Sequence, residues 1–113
     1  MNATAAAAIV RSAAWIEHAS KAILQRAGAG PDAADAMAKA LTEAHLRGVE
    51  THGLRRLRPY VDRIKSCGVD GAAHPQVAES EAIVHVDGRN GIAHYVATRA
   101  ANAAAEAAGK HGI

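Results

Sequence analysis

The sequence predicts a mainly helical α+β fold, and three observations carry that prediction. Alanine, the strongest helix former, makes up more than a quarter of the 113 residues. Apolar residues recur at helical spacing in three stretches bounded by capping or stop residues, and alanine dominates a fourth. Between the third and fourth, Val77–Ser80 and Ile83–Val86 read as two short strands.

Residues 1–8 are of low complexity, and fraying is expected there. Ile9-Val10 suits a short extended piece, and Ser12 suits an N-cap. The first helix follows, with Ala13, Ile16, Ala19, Ile23, Leu24 and Ala27 at core spacing and Gly28 as its stop. Pro31 and Asp32 suit the opening turn of a second helix, which runs to about Arg47 and ends at Gly48. Its inward face carries Ala34, Met37, Ala38, Leu41 and Ala44.

A short link, Val49-Glu50-Thr51-His52-Gly53, leads to a third helix over roughly Leu54–Cys67, ended by Gly68. Leu57, Val61 and Ile64 form its apolar side; Arg55, Arg56, Arg58, Arg63 and Lys65 form the other. Pro59 falls within the first turns, where a missing N–H costs least. Residues 69–76 read as loop. In the second strand Val84 and Val86 alternate with Ile83, His85 and Asp87, and Asp87–Gly91 reads as a turn. The fourth helix is expected from Ile92 to about Ala108. The chain then stops where an α/β pattern would place a buried strand, so the sequence reads as cut rather than finished.

Composition narrows the function. There is no Phe and one Trp, and Leu, Ile and Val together supply less than a fifth of the chain. Burial gain scales with apolar area, roughly 25 cal/mol per Å², so an alanine-built core is thin. Some apolar faces are therefore expected against another copy or further polypeptide, which points to a homo-oligomer. Thirteen basic residues oppose 11 acidic ones for a net charge of +2, which is no nucleic-acid footprint. No run approaches the ~18 apolar residues of a membrane span. The N-terminus makes a poor signal peptide, and one cysteine, Cys67, permits no internal disulfide. A reducing, cytoplasmic location fits.

Candidate chemistry is sparse. Gly28-Ala29-Gly30-Pro31-Asp32-Ala33 formally matches a dinucleotide glycine motif, but that motif requires a preceding strand and here a helix precedes it. The basic face of the third helix is interrupted by Asp62 and reads as a solvated face. The seven histidines show no metal-ligand spacing. His52 differs from the rest, because it sits in the tight link with Arg56 four residues on. A loop histidine is a natural proton donor near neutral pH, and an arginine one turn away can hold a carboxylate at two points. Together they can orient a 2-oxo acid. A structural histidine beside a surface arginine is the competing interpretation of the same spacing.

The string Glu43-Ala44-His45-Leu46-Arg47-Gly48-Val49-Glu50-Thr51-His52-Gly53-Leu54-Arg55-Arg56-Leu57, with Pro59-Tyr60-Val61, resembles the N-terminal region of the non-Rossmann malate/L-lactate dehydrogenase family. Val86-Asp87-Gly88-Arg89-Asn90-Gly91-Ile92 resembles that family's next strand and turn, and Lys110-His111-Gly112-Ile113 the end of its next helix. The resemblance runs in order from about Ser12 to Ile113.

It implies an oxidoreductase moving a hydride between NAD or NADP and a small 2-hydroxy or 2-oxo acid. His52 would be the catalytic acid and base, Arg56 the carboxylate anchor, and Thr51, a hydroxyl where serine is usual, a second substrate-binding residue. By the same resemblance, residues 1–70 form a helical domain, and 71–113 begin a nucleotide-binding domain whose cofactor residues lie mostly beyond this stretch. The 113-residue chain alone is then expected to be inactive or nearly so, its His52–Arg56 pocket completed by further polypeptide. His45, Ala93-His94 and the Arg58-Pro59 order depart from the family pattern, which bears on substrate preference. A non-catalytic, alanine-rich helical module that associates with itself, or a truncated relic, is the alternative.

Overall fold

The computed structural model describes residues 7–112. It contains α1 (Ala13–Ala27), α2 (Pro31–Leu46), two 3-10 turns (Glu50–His52 and Leu54–Arg56), α3 (Leu57–Lys65), β1 (Gln76–Ser80), β2 (Ile83–Asp87) and α4 (Ala93–His111). This is the expected mainly helical α+β arrangement. Of the expected fray at residues 1–8, residues 1–6 lie outside the described residues. Ile9 and Val10 form no strand; they are 80% and 82% exposed.

Local signals set the first two helices. The Ser12 hydroxyl accepts from the Trp15 N–H at 3.2 Å and caps α1. Gly28, at φ 115°, ends it in the left-handed conformation: the Gly28 N–H donates to the Gln25 carbonyl and the Ala29 N–H to the Leu24 carbonyl. Pro31 opens α2. The two helices pack together. Lys21 of α1 and Lys39 of α2 each lie 2.8 Å from the Asp35 carboxylate. Hydrogen bonds from Lys21 and then Lys39 hold that carboxyl below its ordinary 3.8.

The expected third helix divides in two. A continuous α-helix from Leu54 would need an N–H at residue 59, and Pro59 has none. Leu54–Arg56 closes instead as a 3-10 turn, and α3 begins at Leu57 with Pro59 in its first turn. The far end also differs, because α3 stops at Lys65, and Cys67 at φ 58°, not Gly68, takes the left-handed position. The Gly68 N–H donates to the Arg63 carbonyl and the Cys67 N–H to the Ile64 carbonyl, completing the end cap. A left-handed non-glycine residue costs roughly 1–2 kcal/mol. Cys67 is exposed, so Cys67→Gly should raise stability by up to about 1 kcal/mol after the extra unfolded-state entropy of glycine is subtracted. Urea unfolding checks this; a lowered midpoint would contradict it.

The strands form one antiparallel pair with Val77 opposite Val86. Val84 and Val86 are the half-buried positions of β2, which packs on α4. In the following turn the left-handed residues are Arg89 and Asn90, at φ 52° and 55°. Gly88 and Gly91 serve close approach instead, since a Cβ on Gly88 would lie 3.0 Å from Val96 and one on Gly91 2.9 Å from the Gly88 carbonyl. Ile92 ends the turn and starts α4.

That last helix runs through Gly109 to His111, past the stop expected near Ala108. One interior glycine costs only about 1 kcal/mol. Lys110 anchors the helix end 3.0 Å from Glu79 of β1, and Gly112 at φ 74° caps it. The core is as thin as the composition suggests. Leu24, Met37, Leu41 and Ile92 are its large buried side chains, and Ala29, Ala33, Ala34 and Ala38 fill the remainder beside Ile64. Ile23, expected inside, is 45% exposed. Its neighbour Leu24 takes the inward position, which turns Ile23 about 100° around the helix.

Candidate functional site

The end of α2 delivers the chain to the link. Gly48 turns it at φ 77°, and the Val49 N–H returns to the Ala44 carbonyl at 2.9 Å. Two consecutive 3-10 turns follow. The Gly53 N–H donates to the Glu50 carbonyl at 3.1 Å, and the Arg56 N–H to the Gly53 carbonyl at 3.0 Å. Gly53 is buried against α2: a Cβ there would stand 3.0 Å from both Cβ and Nδ1 of His45 and 3.1 Å from its Cα. That contact is why the residue after His52 has no side chain. It also gives His45, which the sequence marks only as a departure from a pattern, a place behind the link.

Thr51 and His52 sit on the first turn and Arg56 ends the second; all three are exposed. The Thr51 Oγ1 lies 3.1 Å from the His52 Nδ1. A hydroxyl both donates and accepts, so it satisfies Nδ1 in either tautomer and leaves Nε2 for other chemistry. Among the described residues Arg56 makes no ion pair, whereas nearby Arg47 pairs with Glu43 and Arg58 lies 3.9 Å from Asp62. The Arg56 guanidinium stands over the Tyr60 ring, with Cζ 5.7 Å from its centroid. An exposed guanidinium without an ion pair, one 3-10 turn after an exposed imidazole, has the chemistry to take a carboxylate while the imidazole supplies a proton.

Behind Tyr60 lies His94 of α4. The two rings meet edge to face, with centroids 5.5 Å apart and planes at 85°. The His94 Nδ1 is buried with no hydrogen-bond partner, and burial lowers the pKa of its imidazole from the ordinary 6.5. The Arg56–Tyr60 contact follows the four-residue helical spacing and is readable in sequence. The His94 contact joins two separate helices and is not.

Cavities among the described residues include one of about 700 Å³ between α1 and α2, lined by Glu17, His18, Lys21, Asp35, Lys39 and Thr42 among others. Neither this cavity nor four others include Thr51, His52 or Arg56, which stand on exposed surface. The described residues hold no cluster of three or more His, Cys, Asp or Glu that could take a metal ion, and no helix among them is long and apolar enough to cross a membrane.

Residues 12–113 match the family described as malate/L-lactate dehydrogenase. Malate dehydrogenases of Pyrococcus abyssi and Pyrococcus horikoshii are each 36% identical over 94 residues, 80% of this chain. Those residues are 25% and 26% of the relatives' lengths, so the chain spans about a quarter of the curated relatives it matches. Among solved structures, the Pyrococcus horikoshii malate dehydrogenase superposes with a TM-score of 0.84 at 30% identity, over 92% of this chain and 30% of that one. A delta1-piperideine-2-carboxylate reductase from Pseudomonas syringae also gives 0.84, at 28% identity over 91% of this chain and 31% of that one.

Proposed function

Because this chain belongs to the malate/L-lactate dehydrogenase family, we propose that it serves the interconversion of a small 2-oxo acid and its 2-hydroxy acid, with NAD or NADP as hydride partner. The observation that supports this reading is an exposed imidazole, in contact at Nδ1 with Thr51, followed on the next 3-10 turn by an exposed guanidinium without an ion pair. Arg56 holds the substrate carboxylate through its planar fork. His52 gives a proton from Nε2 to the carbonyl oxygen as reduction proceeds and takes it back in oxidation. Thr51 keeps the imidazole in one orientation through both halves.

The nicotinamide cofactor comes from the family, not from a cradle in these residues. In the glycine-rich stretch at Gly28–Ala33, the Gly30 N–H is already given to the Gly71 carbonyl at 2.8 Å. A Cβ on Gly71 would stand 2.8 Å from the Gly28 carbonyl. The stretch is a helix junction closed by Gly71, and it does not fit a pyrophosphate. The chemistry assigned to this chain is therefore confined to the proton and the carboxylate. The open surface around His52 is completed, in this reading, by further polypeptide.

Kinetics test the carboxylate role. In a polypeptide carrying residues 12–113 on the cofactor-binding portion of a malate dehydrogenase relative, Arg56→Lys should raise KM for the 2-oxo acid about tenfold with little change in kcat. A point charge replaces a two-point grip. Unchanged KM would remove Arg56 from the site.

A second reading, self-association through exposed apolar side chains, is favoured by Trp15 and Ile23 on α1, Leu46 at the end of α2, and Ile9 and Val10 ahead of α1. It is compatible with the first, and sedimentation equilibrium tests it: a monomer at all concentrations would oppose it. A cytoplasmic enzyme acting on small acids, without nucleic-acid or membrane partners, completes the proposal.

A further inference from the structure

His94 lies outside the motif that supplies His52 and Arg56, and in the described structure its buried Nδ1 makes no hydrogen bond. A buried polar atom without a partner costs stability, so its retention calls for a reason. A leucine or phenylalanine would fill the same space without that cost. The reason lies in what the ring touches. It meets the Tyr60 ring at 85°, with centroids 5.5 Å apart. Tyr60 is half-buried against the core and carries the Arg56 guanidinium on its ring at 5.7 Å. Ile92, 2% exposed, fixes the start of α4 in the core two residues before His94. The contacts thus run from a fixed helix start through two rings to one exposed guanidinium.

We propose that His94 is a positioning residue: by holding the Tyr60 ring edge to face, it fixes the Arg56 guanidinium in the orientation that receives the substrate carboxylate. This rests on the assignment of Arg56 to the carboxylate, and it adds a residue from α4 to a site otherwise built from the link between α2 and α3. An arginine side chain free in water samples many rotamers and loses that freedom on binding. A guanidinium already seated on a fixed ring loses less. A tyrosine free to swing would return that cost to the binding step.

The test uses this chain, labelled with nitrogen-15, and reads the Arg56 Nε–H resonance by NMR. In the unaltered chain the Tyr60 ring current should displace that resonance from those of exposed Arg55 and Arg58. His94→Leu, which fills the space without a ring edge, should bring it back toward them, and His94→Phe should restore the displacement. If His94→Leu does not fold, His94→Ala takes its place. Oxamate, an analogue of a 2-oxo acid, should bind His94→Leu about five-fold more weakly, the worth of one exposed cation–π contact, and His94→Phe as the parent does. An Arg56 resonance that ignores every change at His94 would overturn the proposal whatever oxamate does. Failure of oxamate to bind the unaltered chain would instead overturn the carboxylate assignment, with the ring-current result standing on its own.

Discussion

Replacing His52 with alanine should lower turnover by about 10²–10⁴-fold, the range of a lost general acid–base group, while KM for the 2-oxo acid moves far less. The asymmetry follows from geometry. The carboxylate is held by Arg56, on a 3-10 turn that His52 does not build: Leu54–Arg56 is closed by the Arg56 N–H on the Gly53 carbonyl. Removing the imidazole leaves that grip intact and removes only the proton held at Nε2. The interaction lost is made in the transition state, so it should appear in kcat and in kcat/KM alike. The assay is NAD(P)H oxidation by the polypeptide carrying residues 12–113 on a relative's cofactor-binding portion. A variant within two-fold of its parent would strip His52 of the role.

The largest stability effect is expected from Leu24→Ala, about 2–5 kcal/mol. Leu24 is fully buried where α1 meets α2, in a core cluster of Ala29, Ala33, Ala34 and Ala38 with Met37, Leu41, Ile64 and Ile92. The alanines cannot swing into the space a leucine leaves, and shortening the gap would require two helices to approach along their backbones. The loss is large against a domain stability of roughly 5–15 kcal/mol. Urea unfolding followed by circular dichroism checks it, with Ile23→Ala as the control. Ile23 is 45% exposed and should cost less than about 1 kcal/mol. Equal costs at the two positions would mean that α1 buries a different face.

The contrast between those neighbours shows what the sequence discloses. Features set by nearest neighbours along the chain are legible: the Ser12 cap, the Gly28 stop, Pro31 opening α2, and the alternation that half-buries Val84 and Val86. The tight link holding Thr51, His52 and Gly53 is legible as well, because an apolar period stops and restarts around it. Features decided by packing are not. Periodicity gives Ile23 and Leu24 equal standing on one face, and only the approach of α2 chooses between them. Cys67 takes a left-handed conformation although a glycine follows it, because the end cap of α3 is registered by the Arg63 and Ile64 carbonyls. Gly109 fails to stop α4 because Lys110 and the Gly112 cap hold the helix end farther on. Tyr60 and His94 stand far apart in sequence, and no local pattern announces that their rings touch.

The central claim is that an imidazole and a guanidinium on adjoining turns serve one small acid. Titrating the nitrogen-15-labelled chain with oxamate tests it most directly. The account predicts chemical-shift changes concentrated at Thr51, His52 and the Arg56 side chain, abolished in Arg56→Ala and absent with an uncharged amide of the same size. Shift changes scattered over the surface, or confined to the cavity between α1 and α2, would contradict it.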